Sequence, residues 1–98
     1  MTTAKRNGDK LTPVLLRLLK HPPAYHELGG GLMLTTHRGQ LPDQVWLAAG
    51  RRNISPSDIE MRVLRSTLTK AGAEITGDEV DDENGEWRIK RLCVKASK

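Results

Sequence analysis

The run Leu41-Pro42-Asp43-Gln44-Val45-Trp46-Leu47-Ala48-Ala49-Gly50 admits two readings, and the fold turns on the choice between them. Pro42 at a first helical position and Gly50 as a terminal cap favour a two-turn helix. Val45-Trp46-Leu47 equally reads as a strand that pairs with Leu32-Met33-Leu34-Thr35-Thr36. The two end signals place the helix reading first.

Upstream of this run, Leu11 to His21 reads as a helix with Thr12 as N-cap and Pro13 at the first position, where a missing N–H costs nothing. Val14, Leu15, Leu16, Leu18 and Leu19 make it apolar around much of its circumference, and Pro22-Pro23 ends it. Residues 22–31 read as a connector. Its three successive glycines belong to no phosphate-loop pattern and serve a turn. Residues 32–36 read as a short strand and 37–40 as a turn. Residues 1–10 carry three bases, one acid and no apolar periodicity, and are expected as a disordered basic arm.

Downstream, residues 55–72 carry the strongest helical signal. Ser55 is read as N-cap, Pro56 as the first residue and Asp58 as the partner in a variant capping box, with Gly72 closing the helix. Met61, Leu64, Leu68 and Ala71 form one apolar stripe, and Ile59 and Val63 a narrower edge. Asp58, Arg62, Arg65 and Thr69, with Ser66 beside them, form a separate polar face. Residues 74–95 read as a β-hairpin around Asn84-Gly85. The expected register sets Glu83 opposite Glu86, Asp82 opposite Trp87, Asp81 opposite Arg88, Val80 opposite Ile89 and Glu79 opposite Lys90. Two of these pairs join opposite charges, so the acids neutralise the basic return strand. Trp87 either anchors this hairpin on the core or stands exposed as a contact residue.

The 98 residues fit one domain, read as 11–95 with a tail at 96–98. A Rossmann-type cofactor domain needs more chain. The formal charge of +4 conceals three blocks. Residues 1–72 hold eleven bases and five acids, 73–86 seven acids and no base, and 87–98 five bases and no acid. The basic blocks suit a polyanion, and the acidic block does not. No apolar run reaches the length of a membrane span, and the start lacks a signal-peptide core. The single cysteine, Cys93, is read as a small buried hydrophobe. It excludes an internal disulfide framework and a multi-cysteine zinc site, and a reducing cytoplasm is expected.

Catalytic chemistry finds little support. His21, His26 and His37 lie at no metal-ligand spacing, no nucleophile elbow occurs, and the expectation is a non-enzyme without cofactor or metal. A calcium loop across Val80–Arg91 fails because Val80 and Arg91 occupy the positions that need carboxylates.

The expected element order is helix 11–21, strand 32–36, helix 42–49, helix 56–71 and hairpin 74–95. That order resembles the winged-helix domain. Ser55 to Leu68, followed by Ala71-Gly72-Ala73-Glu74-Ile75, is similar in pattern to the recognition helix and wing entry of bacterial transcription regulators. The resemblance covers about 60 residues and carries no diagnostic motif. It implies an α+β fold, a small winged-helix-like domain of two or three helices with a C-terminal β-hairpin. It further implies a transcriptional regulator that lays helix 56–71 in the major groove of double-stranded DNA. Ser57, Arg62, Arg65, Ser66 and Thr69 would then meet the groove, Arg51 and Arg52 the backbone, and Arg88 and Lys90 would contact from the wing. Two features depart from the family pattern: the Gly50–Ile54 connection is long and the wing tip is acidic. The competing expectation is a protein-interaction module of a phage or mobile element that blocks a host protein. Its contact surface would be the acidic hairpin 78–86, with Asp81, Asp82 and Glu83 foremost. A homodimer through Leu15, Leu18 or Leu19 is expected in either case to supplement a small core.

Overall fold

The computed structural model of the chain describes residues 3–95. Its elements are α1 (Thr3–Lys20), β1 (Ala24–Glu27), β2 (Met33–Arg38), β3 (Gln44–Arg52), α2 (Asp58–Lys70), β4 (Glu74–Asn84) and β5 (Trp87–Lys95), with a 3-10 turn at Gly29–Gly31. The five strands form one antiparallel sheet in the order β1-β2-β3-β5-β4. This overturns the winged-helix expectation. Residues 41–50 supply no helix, and the C-terminal hairpin is no separate wing, because β5 pairs along its whole length with β3.

The reason lies in side-chain alternation. Val45, Leu47 and Ala49 are buried toward the helices, while Trp46, Ala48 and Gly50 point to the opposite face, a period that a strand satisfies and a helix does not. Gly50 is no helix cap. A Cβ there would come within 3.2 Å of Ile89 Cγ1 across the β3–β5 pair, so the glycine permits a close side-chain approach.

Both helices pack on one face of the sheet. Leu15, Leu18 and Leu19 of α1 and Met61, Leu64 and Leu68 of α2 meet Leu34, Val45, Leu47, Leu92 and Val94 from the strands. Leu15 and Leu18 are fully buried and Leu19 is 7% exposed, so these residues build the core and cannot form the expected dimer interface. The buried Thr36 hydroxyl donates to the Leu18 carbonyl at 2.9 Å, which ties β2 to the last turn of α1. No helix among the described residues is long and apolar enough to cross a membrane.

Other boundaries differ from expectation. Residues 3–10, read as an arm, continue α1, and Pro13 lies inside that helix. Residues 1–2 of the arm and the tail 96–98 lie outside the described residues. Residues 24–27, read as connector, form β1. The capping box of α2 uses Ser57 and Glu60 in place of Ser55 and Asp58: Glu60 N–H donates to Ser57 Oγ at 3.1 Å, and Ser57 N–H donates to Glu60 Oε1 at 2.8 Å. Glutamate reaches back to the cap amide better than the shorter aspartate, which moves the start by two residues. Gly72 follows the helix with φ 92°, the left-handed conformation that glycine adopts without penalty.

The hairpin is displaced by two positions. Asn84 faces Trp87, Glu83 faces Arg88, Asp82 faces Ile89 and Asp81 faces Lys90. A shift of two preserves the face of every side chain, so opposite charges still meet across the pair. A bulge between Thr76 and Val80 separates this part from the inner pairs Ile75–Val94 and Thr76–Cys93.

Glu60 also joins three elements electrostatically. Arg51 at the end of β3 donates to both Glu60 carboxylate oxygens, through Nη1 at 3.0 Å and through Nη2, and its Nε donates to the Gly30 carbonyl at 3.1 Å. The Arg51 side chain, followed by the Ser57 amide, holds the Glu60 carboxyl down to about 2 from its usual 4.5. A depressed folded-state pKa stabilises the fold fully above the unfolded value and loses that contribution as pH falls through the folded one. We therefore expect Glu60→Gln to cost about 1–2 kcal/mol at pH 6, discounted for partial solvent screening, and the gap to the parent to close between about pH 4.5 and 2. Urea midpoints of both proteins across that range check it, and a gap independent of pH would refute it.

Candidate nucleic-acid interface

The sequence-predicted contact residues do not form one basic surface. Arg51 is engaged by Glu60, Arg52 by Glu86 at 3.6 Å, Arg65 by Glu79 at 3.1 Å and Arg88 by Glu83 at 2.7 Å. Lys90 Nζ lies 4.0 Å from each of Asp58, Glu79 and Asp81. Ser57 is occupied as the helix cap, whereas Arg62, Ser66 and Thr69 are exposed on α2. Among the described residues, Arg62 is the one predicted contact cation without an ion pair. The α2 face expected in a DNA groove instead lies beside β4, where Asp58, Met61, Arg62, Arg65 and Glu79 line a recess of about 200 Å³. The acids of the alternative surface are likewise answered locally, Asp81 by Lys90, Asp82 by Arg91 at 3.7 Å and Glu83 by Arg88.

A different surface emerges from the strand register. The face of the sheet opposite the helices has no element packed on it among the described residues. An antiparallel sheet with one face in water ordinarily reads polar on that face. Here the face carries all three aromatic residues of the chain: Tyr25 on β1, Trp46 on β3 and Trp87 on β5. Their orientation follows from their neighbours. His26 bonds Arg17 of α1, which turns Tyr25 outward, and Val45 and Leu47 enter the core, which turns Trp46 outward. Trp87 lies opposite Arg52 and against Gly50. Trp87 is thus half-buried on the uncovered face and does not anchor the hairpin on the core.

Each indole is paired with a guanidinium. Arg52 Cζ lies 5.8 Å from the centre of the Trp87 ring, and Arg91 Cζ lies 5.3 Å from that of Trp46, both within cation–π reach. His37 stands opposite Trp46, and Lys95 opposite Gln44. Across β2, β3 and β5 the uncovered face therefore holds Arg52, Arg91, Lys95, His37 and two tryptophans, with no carboxylate. Acids enter it from the outer strands, as Glu27 on β1 and as Glu74 and Asp82 on β4. Trp46 and Trp87 lie six strand positions apart along β3, about 20 Å at the usual rise.

Trp46, Arg91, Lys95, His37 and Tyr25 were missed by the sequence reading. Their signal was present in the alternation Val45-Trp46-Leu47-Ala48, and it becomes visible once 41–50 is taken as a strand. Cys93 is free and buried, as expected for a small hydrophobe. No group of three or more His, Cys, Asp or Glu among the described residues could hold a metal ion. No family model matches the chain, and neither a curated protein nor a solved structure matches it.

The platform depends on the close β3–β5 approach at Gly50. Gly50→Val would drive its branched side chain into Ile89 and Trp87, and overpacking of this kind costs about 1–3 kcal/mol. We expect a lower denaturant midpoint together with a red-shifted tryptophan emission. An unchanged midpoint and spectrum would show that the two strands tolerate separation.

Proposed function

We propose that this chain is a non-enzymatic protein that binds single-stranded nucleic acid on the uncovered face of its sheet, acting in the cytoplasm. The observation that carries the reading is the acid-free band of three inner strands in which two tryptophans stand beside arginines. Unstacked bases lay their faces on aromatic rings, and each such contact contributes about 1–3 kcal/mol. Arginine guanidiniums supply both phosphate contacts and planar stacking.

Two physical arguments favour single strands over the duplex expected from the sequence. Five strands at about 4.8 Å spacing span about 20 Å, wider than the ~12 Å major groove that admits a helix or a two-stranded ribbon. Bases within a duplex, moreover, hide the faces that tryptophans would stack on. Helix α2 offers a poorer surface for unstacked bases, because it carries no aromatic residue. Long-range attraction comes from elsewhere. The stretch Thr3–Lys20 carries five bases and one acid, while the rest of the chain carries eleven of each.

Fluorescence anisotropy of a labelled oligothymidylate of about twenty nucleotides tests the reading. We expect Trp46→Leu and Trp87→Leu each to weaken binding tenfold or more, while Arg62→Glu on α2 changes it little. With three cations on the band, a plot of log affinity against log salt should fall with a slope of about −2. Tight binding that ignores both tryptophan changes but collapses with Arg62→Glu would move the interface to α2. Absence of binding at low salt would end the proposal.

A further inference from the structure

The uncovered face repeats one three-part arrangement. At one end of the β3–β5 pair, the Glu86 carboxylate holds Arg52 at 3.6 Å, and Arg52 lies over Trp87. Toward the other end, the Asp82 carboxylate holds Arg91 at 3.7 Å, and Arg91 lies over Trp46. Each stack runs acid, guanidinium, indole. The acids come from β4 and from the β4–β5 turn, and the indoles from β5 and β3, so the two stacks are assembled separately from different residues.

In this arrangement a guanidinium occupies the ring face that a base would take. The tethers are weak. Arg52 and Glu86 are 66% and 67% exposed, and each contact is a single long pair with none of the bidentate geometry that makes arginine–anion bonds strong. The Arg91 Nε atom is buried without a hydrogen-bond partner, so the held state leaves a donor unsatisfied. A phosphate oxygen that draws Arg91 away from the ring would satisfy it and uncover Trp46 in one movement.

We infer that Asp82 and Glu86 set the specificity of this face. They compete with phosphate for Arg91 and Arg52, and so keep the two indoles covered until a ligand supplies both an anion for the arginine and a base for the ring. Isolated anions displace the tethers without gaining a stack, and neutral aromatic molecules meet a covered ring. A single strand of nucleic acid brings both groups at once. The inference rests on the nucleic-acid reading of this face.

The test is Asp82→Asn combined with Glu86→Gln, with Asp81→Asn combined with Glu83→Gln as the control. The control makes the same change of charge on the same hairpin, but its acids pair with Lys90 and Arg88 on the helix side of the sheet. Two readouts are taken: acrylamide quenching of the two tryptophans in the free protein, and affinity for the labelled oligothymidylate. Released arginines uncover the rings, so the first pair should raise the quenching constant and tighten binding about fivefold, the sum of two exposed ion pairs. The control should leave quenching unchanged and affinity within about twofold. Quenching unchanged by Asp82→Asn/Glu86→Gln would overturn the inference, as would an affinity gain that the control matches. If the parent and both variants bind no oligonucleotide, the nucleic-acid reading fails and the specificity role falls with it; a parent that binds while the first pair fails to tighten overturns the role alone.

Discussion

Strand β3 is hydrogen-bonded on both sides, and the rest of the molecule depends on that. It pairs with β2 through Arg38–Val45 to Met33–Gly50, and with β5 from Gln44–Lys95 to Arg52–Trp87. Without it the N-terminal hairpin of β1 and β2 and the C-terminal hairpin of β4 and β5 would be separate two-stranded pieces, each marginal in water. With it they become one sheet broad enough to take two helices on a single face. The same nine residues divide the chemistry of the protein between two surfaces: Val45, Leu47 and Ala49 serve the core, and Trp46, Gly50 and Arg52 build the opposite face.

Charge is handled locally in this fold. The acidic block that looked like a partner surface in the sequence is distributed over the bases of β5 and α2, one carboxylate at a time. Most of these pairs are solvent-screened and add little stability individually. Their collective effect is to cancel the field of the hairpin, and the net formal positive charge of the chain falls within Thr3–Lys20. The Arg51–Glu60 pair differs from the rest. It is two-pronged and locks the end of β3 to both the start of α2 and the Gly29–Gly31 turn.

Much of the local structure was legible in the sequence, because it is decided by short-range chemistry. The strand read at 32–36, the helix through 58–70, the glycine that ends it and the turn near Asn84-Gly85 all follow from capping, periodicity and turn propensity, although β2 runs on through His37 and Arg38, where the sequence predicts a turn. The hairpin charges were legible as well, since a displacement of two residues leaves each side chain on its face. The element at 41–50 was not. Pro42 and Gly50 carry helical end signals, and only the tertiary pairing on both sides outweighs them. That one choice decided the fold class. It also concealed the candidate site, because Trp46 and Arg91 meet only when β3 and β5 are neighbours. The contact cations expected from the winged-helix pattern were individually plausible. Their carboxylate partners lie as far away in sequence as Glu86 is from Arg52, beyond the reach of any local rule.

The two edges of the sheet bear on how the molecule meets others. On one side β1 is only four residues long, and on the other β4 is interrupted by a bulge and lined with Asp78, Asp81 and Glu83. Short, kinked or charged edge strands resist templating another chain onto their free amides and carbonyls. The sheet is thereby closed to growth by strand addition, as in β-augmentation or fibril formation. A visitor must approach the broad side, where side chains rather than backbone groups do the recognising.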